Sequence, residues 1–195
     1  MPTPDRARRD HTIRWIEAFE PTNDRGIRGR SLTLDLLREA TAPFDRSHYH
    51  PGHVTASGLV LSPKGRQVLL VYHNRLQMWL QPGGHVEPSD PDVLTTAGRE
   101  VWEETGIRVA SDSDPYLVSV DVHEIPANDR EPVHAHHDLM FCFTAEGDAI
   151  DASAEDREAV WCPIAEISKY GVDGALLSGI ERAFPALPNE GLAGR

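Results

Sequence analysis

Three glutamates near the middle of the chain have the spacing of a metal-binding group. Glu100, Glu103 and Glu104 stand at positions i, i+3 and i+4, which places their side chains on one face of a helix. Two carboxylates about 4 Å apart repel each other by about 4 kcal/mol at an effective dielectric constant of about 20, and a divalent cation removes this cost. Hard oxygen ligands suit Mg²⁺ or Mn²⁺, which also bind substrate phosphates. The spacing therefore predicts a magnesium or manganese site, with a solvated helix face as the alternative.

The residues around the glutamates favour the metal site over the solvated face. Gly83 and Gly84 precede the helix, and a glycine pair lets the backbone come close enough for a carbonyl oxygen to bind a metal or for the turn to contact a phosphate. Arg99 lies next to Glu100, and its planar guanidinium is suited to brace an acidic neighbour. Three features stand at fixed distances along the sequence, and each has a different structural role. They are the Pro-Gly-Gly turn before the helix, the Arg-Glu pair that begins its acidic face and the Thr-Gly pair that ends it.

This segment resembles the Nudix box, whose pattern is G-x5-E-x7-R-E-U-x-E-E-x-G-U, with U a bulky aliphatic residue. Residues 99–107, REVWEETGI, match the second half at every defined position. The first half differs, because Asp90 stands where the family has glutamate and Arg99 comes one residue late, so that the box has 24 residues from Gly84 to Ile107. We expect the shorter Asp90 still to reach Arg99, and we expect the extra residue to leave the glutamate spacing intact.

The resemblance implies a fold, a reaction and a set of roles. It covers roughly Val54 to Lys169 and implies a Nudix-like α/β/α sandwich with a mixed β-sheet. Nudix enzymes hydrolyse a nucleoside diphosphate linked to another group, using water and Mg²⁺ or Mn²⁺. By this resemblance the three glutamates are metal ligands, one of them doubles as general base, and the carbonyl of Gly83 adds a further ligand. Arg99 completes the catalytic set as the residue that braces them.

Other side chains are candidates for contact with the substrate. Some Nudix members add a glutamate from a later loop, and Glu155 fits this role ahead of Glu158, with a solvated loop acid as the alternative. His85 follows the glycine pair and either points at the pyrophosphate or fills the turn. Arg75 is expected to face the substrate cleft. Trp79 is expected to pack in the core rather than stack on a base.

A cluster of histidines stands at the entrance to a predicted strand. Alternation along the strand places His134, His136 and Asp138 on one face and His137 on the other, with His123 in the preceding strand. Three interpretations stay open: a polar strand end, contact of one or two rings with the substrate phosphate or base, and a zinc site. The sequence has no Cys-x-x-Cys or His-x-x-x-His pair to support zinc, so a polar strand end is the favoured interpretation.

The periodicity of apolar residues predicts the elements that carry these groups. We expect an α/β (α+β) arrangement in which a helical extension, residues 1–50, precedes a Nudix hydrolase domain, residues 51–195. The extension covers the sheet, forms a lid over the cleft or makes a homodimer contact, and the sequence does not choose among these. The predicted helices are Ile13–Phe19 and Leu32–Ala40, with the polar segment 21–30 between them, Val93–Thr105 with Gly106 as its stop, and Gly174–Phe184. The predicted strands are His53–Leu61 and Gln67–His73, joined as a hairpin by the turn 62–65, then Tyr116–His123, His137–Thr144 and Ala159–Cys162.

Composition limits the partners and the location. The chain has 195 residues and a formal net charge of -12 at pH 7, which argues against general binding to nucleic acids or acidic membranes. No apolar run approaches the roughly twenty residues that span a bilayer, and no apolar segment follows the charged N-terminus, so a cytoplasmic location is expected. Cys142 and Cys162 are expected to be buried thiols. The expected partner is a small-molecule nucleotide diphosphate derivative.

Two further interpretations compete with the hydrolase. One is a Nudix-fold binding or regulatory module that senses a nucleotide without turnover, and the other is a related isomerase on the same fold. All three box glutamates are present, which favours hydrolysis of a diphosphate bond. The sequence does not separate nucleotide sugars, ADP-ribose-like compounds, dinucleoside polyphosphates and nucleoside triphosphates as substrates, because specificity depends on loops and pockets built onto the fold.

Overall fold

The computed structural model describes residues 4–111, 114–151 and 158–184. Its helices are α1 (Pro4–Ala18), α2 (Asp24–Glu39), α3 (Val93–Thr105) and α4 (Gly174–Ala183), with a 3-10 helix at Ile164–Tyr170. Its strands are β1 (Gly52–Leu61), β2 (Gln67–His73), β3 (Met78–Leu80), β4 (Gly83–His85), β5 (Tyr116–Ile125), β6 (His134–Thr144) and β7 (Ala159–Pro163). None of the described helices is long and apolar enough to cross a membrane.

The strands form one mixed sheet in the order β3-β2-β1-β6-β5, with β4 paired to β1 and β7 paired to β2. β1 and β6 run parallel, and the other pairs are antiparallel. β1 lies at the centre of this arrangement and pairs with three strands. The parallel register places Thr55 of β1 opposite Asp138 of β6, so polar residues from distant parts of the chain share one face of the sheet.

Apolar side chains fill both sides of the sheet. α1, α2 and α3 cover one face, where Ile16, Leu37 and Val101 belong to one buried cluster. The 3-10 helix and α4 cover the other face, where Leu176 and Ile180 belong to a second cluster. Burial of both faces requires helices on both sides of a sheet. The structure therefore confirms the α/β/α sandwich, and it confirms that both cysteines are buried and free.

The first two helices are longer than the sequence predicts. α1 begins at Pro4 rather than at Ile13, and α2 begins at Asp24, inside the segment 21–30 for which the sequence predicts a polar connection. That prediction is wrong. Asn23 explains the early start of α2, because its side-chain oxygen accepts a hydrogen bond from a backbone N–H of the first turn.

The N-terminal helices pack directly on the sheet. A Cβ at Gly29 would lie 2.2 Å from the carbonyl oxygen of Val120, so glycine at this position lets α2 lie against β5. Arg25 of α2 binds both carboxylate oxygens of Asp121 in β5, with Nε–Oδ1 2.5 Å and Nη2–Oδ2 2.8 Å. The helices therefore cover one face of the sheet, whereas a boundary at residue 50 stays a prediction.

The predicted hairpin and the predicted α3 are both present. β1 and β2 pair antiparallel and are joined by the turn 62–65, in which Gly65 has a φ of 64°. α3 runs from Val93 to Thr105, as predicted, and Asp92 caps its first turn. Gly106 ends the helix in the left-handed conformation and donates its N–H to the carbonyl of Trp102 at 2.8 Å.

The sheet extends beyond the strands that the sequence predicts. β5 continues to Ile125, and β6 begins at His134 rather than His137, because parallel pairing with β1 holds the histidine segment in the sheet. The short strands β3 and β4 are absent from the prediction. Each has three residues, too few to show a periodic pattern, and each is fixed by its neighbour in the sheet.

We predict that Gly106→Ala lowers the free energy of unfolding by about 1 to 3 kcal/mol, because a side chain is strained at this φ and its Cβ would lie 2.5 Å from the Cβ of Asp151. Gly98→Ala in the same helix is the matched control. Its Cβ would meet nothing nearer than 3.8 Å, so the helix-propensity gain of about 0.5 to 1 kcal/mol applies there. Urea unfolding of both variants measures the difference, and equal stabilities would contradict the assigned cap.

Candidate active site

A cavity of about 1160 Å³ opens beside the C-terminal half of α3. Its walls come from the glycine turn, α3, the polar face of the sheet and the segment after α2. The structure brings together ten of the residues that the sequence singles out. They are Gly83, Gly84, His85, Arg99, Glu100, Glu103, Glu104, His123, His136 and Asp138.

The guanidinium of Arg99 connects the acidic helix to the loop before it. Nη1 donates to Glu100 Oε1 at 2.9 Å and to Glu103 Oε2 at 2.7 Å, while Nη2 donates to the carbonyl of His85 at 2.9 Å. Burial alone would lower the pKa of Arg99, but the hydrogen bond to Asp90 and the charge of Glu100 outweigh burial and raise it. Arg99 therefore stays charged and keeps the two glutamates close together.

Asp90 is a further partner of Arg99. Its carboxylate, 4% exposed, accepts from Arg99 Nε at 3.2 Å and Nη2 at 2.9 Å, which confirms that aspartate is long enough here. It also accepts the backbone N–H of Glu87 and the hydroxyl of Thr96, both at 2.9 Å. Burial favours a higher pKa for Asp90, yet these hydrogen bonds hold the pKa below its ordinary value. The extra residue of the box lies between Asp90 and Arg99. Because α3 is uninterrupted from Val93 to Thr105, this residue leaves the spacing of the three glutamates unchanged.

The glycine turn fits against two of the glutamates. The backbone N–H of Gly83 donates to Glu104 Oε2 at 3.1 Å. A Cβ on Gly84 would lie 2.7 Å from the carboxylate of Glu100, and a Cβ on Gly83 would lie 2.4 Å from the Cβ of Ser57. Both positions therefore require glycine for the turn to approach α3 and β1 so closely.

Acidic groups outnumber basic groups along the cavity. In the part of the chain that the structure describes, nine carboxylates but only four guanidinium groups line it. The four arginines already donate hydrogen bonds to protein carbonyls or carboxylates. A diphosphate bound here would need added positive charge. The oxygen donors of the three box glutamates fit a hard divalent cation such as Mg²⁺.

Arg8 of α1 binds the loop between β4 and α3, residues 86–92. Its side chain is buried and donates to the carbonyls of Glu87 at 3.3 Å and Pro88 at 3.2 Å, and to that of Asp90 through both Nε and Nη2. The N-terminal extension therefore holds in place the loop that contains Asp90, which binds Arg99. The sequence gives no signal for this contact, because its members lie about 80 positions apart.

Two buried acids lie on the polar face of the sheet: Asp138, which belongs to the predicted histidine cluster, and Asp121, for which the sequence predicts no role. Asp138 accepts the hydroxyls of Thr55 at 3.0 Å and Ser57 at 2.6 Å, and burial raises its pKa. Burial also works against the charge of Asp121, but its contacts with Arg25 lower the pKa below the ordinary range. Asp121 interrupts the apolar pattern of β5, and this interruption is the sequence signal that points to it. It stands opposite Asp138 in the β5–β6 register.

Histidine rings from three strands meet at one end of the cavity. His53, His85 and His136 have ring centroids 4.8 to 5.1 Å apart. Burial lowers the pKa of His53 to about 4 and that of His136 to about 2. His137 points to the other face, where its Nδ1 lies 3.1 Å from the hydroxyl of Thr33, so the predicted alternation is confirmed. His53 is absent from the predicted cluster because only the pairing of β1 with β6 brings it there.

The remaining sequence candidates lie apart from this group. Arg75 is exposed and donates to the carbonyl of Pro126 at 2.9 Å, and it is not among the residues that line the cavity. Trp79 packs edge-on against Tyr72 and Tyr170, which agrees with core packing. Glu155 lies outside the described residues.

Known proteins are similar to part of this chain. A family model described as NUDIX domain matches residues 51–180. The chain is 34% identical over 107 residues to m7GpppN-mRNA hydrolase NUDT17 from Bos taurus, covering 45% of this chain and 34% of that protein. It is 43% identical over 81 residues to nucleoside diphosphate-linked moiety X motif 6 from Homo sapiens, covering 40% and 25%. The matched region thus spans about a third or less of these relatives.

Two solved structures have a similar fold. The NUDIX domain of Shewanella oneidensis NrtR, complexed with ADP ribose, has a TM-score of 0.52 at 18% identity, covering 77% of this chain and 98% of that one. A NUDIX hydrolase from Nitrosomonas europaea has a TM-score of 0.50 at 20% identity, covering 68% and 88%. At these identities the likeness concerns the fold alone.

We predict that Arg8→Ala lowers the free energy of unfolding by about 2 to 3 kcal/mol, because it leaves buried carbonyls without their donor. Arg8→Lys keeps the charge but not the planar fork, so its loss is intermediate. Arg14→Ala, at an exposed position of the same helix, is the control. Hydrogen exchange of residues 86–92 measures the effect on the loop, and unchanged exchange in Arg8→Ala would count against the support described here.

We predict that Asp90→Asn costs about 3 kcal/mol of stability at pH 7, because it breaks a buried ion pair with Arg99. The pKa of Asp90 is lower in the folded protein than its ordinary value of 3.8, which applies to the unfolded chain. The stabilisation by the ion pair is therefore complete above pH 3.8 and is lost as the pH falls through the folded pKa. The stability gap between wild type and Asp90→Asn should therefore narrow below about pH 4.

Asp92→Asn is the matched control for this charge change, since asparagine also caps helices and the residue is two positions away. Chemical unfolding at a series of pH values measures both gaps. A gap for Asp90→Asn that stays constant into strong acid would refute the ionic role of Asp90.

Proposed function

The chain belongs to the Nudix hydrolase family, and we propose that it hydrolyses a diphosphate bond in a nucleoside diphosphate linked to another group. One observation carries the proposal. Arg99 binds Glu100 and Glu103 beside the cavity, while the glycine turn binds Glu104, so three carboxylates are kept together in a cavity with excess negative charge. Such a costly arrangement is suited to a cation-dependent reaction on a phosphate ester or anhydride.

Glu100, Glu103 and Glu104 are the residues that would hold Mg²⁺ or Mn²⁺, together with the backbone carbonyl of Gly83. When bound, the ion supplies positive charge that screens the diphosphate and polarises its phosphorus–oxygen bonds. The N–H of Gly83 is already used by Glu104, which fixes the turn next to this group. Gly84 and His85 border the same site, so substrate phosphates bound there would lie against them.

The chain's own residues position the water and take its proton. The oxygen of water bonds to one phosphorus, the bridging P–O bond breaks, and the proton of the water passes to a carboxylate. Glu103 is the candidate base because its side chain is 34% exposed, whereas Glu104 is 2% exposed and is bound to Gly83. Arg99 holds Oε2 of Glu103, so Oε1 is the atom proposed to accept the proton.

The substrate class is proposed from the cavity and from the relatives. A volume of about 1160 Å³ exceeds the roughly 300 to 1,000 Å³ of ordinary small-molecule sites, which suits a nucleotide with a second group attached. A matched relative is named for hydrolysis of m7GpppN-mRNA, and a fold neighbour is complexed with ADP ribose. Both compounds contain a phosphoanhydride linked to a nucleoside. We therefore propose a nucleotide sugar, an ADP-ribose-like compound or a nucleoside triphosphate as the substrate.

The other expectations from the sequence remain proposals. We propose that a helical extension, residues 1–50, precedes a hydrolase domain at 51–195. We also propose that the partners are small molecules rather than nucleic acids or membranes, that the chain forms a homodimer and that it is cytoplasmic. Roles for Glu155 as an added catalytic acid and for Arg75 as a substrate contact are proposals too.

The test is product release from nucleoside triphosphates, nucleotide sugars, dinucleoside polyphosphates and ADP-ribose, with and without Mg²⁺ or Mn²⁺. We expect one class to be cleaved to a monophosphate only when the metal is present. Glu103→Gln and Glu104→Gln should each lower kcat by about 100-fold or more, because each removes a carboxylate from the metal group.

Glu181→Gln, on the exposed side of α4, is the control and should keep the wild-type rate. Melting temperatures show whether the variants remain folded. If no compound is cleaved with either metal while ADP-ribose raises the melting temperature, the chain is a nucleotide-sensing module and the hydrolase proposal is wrong.

A further inference from the structure

The histidine rings at the end of the cavity form a group separate from the box glutamates. His53 lies in β1, His85 in β4 and His136 in β6. Strand pairing fixes them. His53 stands opposite His136, and Thr55, two positions along β1 and on the same face, stands opposite His85. The three rings form a nearly equilateral triangle, with centroid distances of 5.1, 4.8 and 5.1 Å.

We propose that His53, His85 and His136 bind one transition-metal ion of the Zn²⁺ class at a site distinct from the glutamate site. One ring nitrogen from each lies within 4.8 Å of the others. Two nitrogens bound at about 2.0 to 2.1 Å to a tetrahedral ion are about 3.4 Å apart, so the rings need to approach by at most about 1.4 Å. His85 and His136 are only partly buried, which leaves them room to rotate.

An unpartnered nitrogen in the interior points independently to a ligand. His53 is 1% exposed, and its Nδ1 lies 3.3 Å from the carbonyl oxygen of His48. A carbonyl oxygen only accepts, so Nδ1 carries the hydrogen and Nε2 presents a lone pair. Among the described residues Nε2 of His53 is one of three buried side-chain atoms without a hydrogen-bond partner. A metal ion would satisfy this lone pair.

His134 repeats the same arrangement next to the triangle. Its Nδ1 lies 2.8 Å from the carbonyl of Pro132, which again leaves a lone pair on Nε2. That Nε2 lies 3.3 Å from Nε2 of His136, close to the separation of two ligands on one tetrahedral ion. Metal-binding histidines commonly donate their other N–H to a backbone carbonyl, as His53 and His134 do. His134 lies outside the group of three whose nitrogens are all within 4.8 Å of one another, and its contact with His136 makes it the candidate for a fourth ligand.

The chemistry of the donors separates this site from the magnesium-type site. Imidazole nitrogen suits zinc, copper, nickel and iron, whereas carboxylate oxygen suits magnesium and manganese. The chain thus presents nitrogen donors from the sheet and oxygen donors from α3 in one cavity. The two sites should respond to different metals and to different substitutions.

The experiment is Zn²⁺ and Co²⁺ binding to the full chain without an affinity tag, in excess Mg²⁺. We expect one Zn²⁺ per chain to remain after dialysis, and we expect Co²⁺ to give the visible absorption of a tetrahedral nitrogen site. X-ray absorption of the zinc-loaded protein should show imidazole scattering. His85→Gln and His136→Gln should each raise the Kd for Zn²⁺ by about tenfold or more.

Two control variants separate this site from other causes of metal binding. His11→Gln removes an imidazole outside the cavity, and Glu103→Gln alters the glutamate site, so both should leave the Kd for Zn²⁺ within about twofold of wild type. His85→Gln gives the answer if His136→Gln fails to fold. The proposal is wrong if wild type retains no zinc, if the absorption spectrum shows oxygen ligands alone, or if Glu103→Gln releases the ion while His85→Gln keeps it. None of these readouts depends on hydrolysis.

Discussion

The charge of one guanidinium group, that of Arg99, keeps the rest of the site in place. It binds Asp90, Glu100, Glu103 and the carbonyl of His85 at distances of 2.7 to 3.2 Å. Without it, adjacent carboxylates in a partly buried position would repel one another and raise the cost of folding. Because the same group binds both the loop and the helix, the position of the glycine turn and the position of the glutamates depend on each other.

This dependence extends to the N-terminal extension. Arg8 binds the carbonyls of the loop that contains Asp90, and α2 lies close against β5 through Gly29 and the ion pair between Arg25 and Asp121. The extension and the sheet thus share one packed interior rather than forming separate bodies. A loop held from both sides loses less entropy when a ligand binds, which suits a site that must keep like charges together.

Local sequence patterns predicted the parts of the fold that depend on local forces. Helix α3, its stop at Gly106 and the β1–β2 hairpin follow from apolar periodicity and from turn residues, and all three are present. The early start of α2 was missed, although Asn23 is a capping residue, because the segment after it is polar and contains glycine. The need for Gly29 is visible only when β5 is in place, so composition alone suggested a connection instead of a helix.

The sequence by itself determined the acidic face of α3, since residues three and four positions apart on a helix are neighbours whatever surrounds them. The resemblance to the Nudix box also predicted that Asp90 would meet Arg99, nine positions away. Only the tertiary structure decided which histidines meet. His53 and His136 are far apart in the chain and become neighbours through parallel pairing of β1 with β6. The register of this pair depends on which apolar residues of the two strands are buried. Contacts of this kind follow from the packing of the sheet, and no local pattern encodes them.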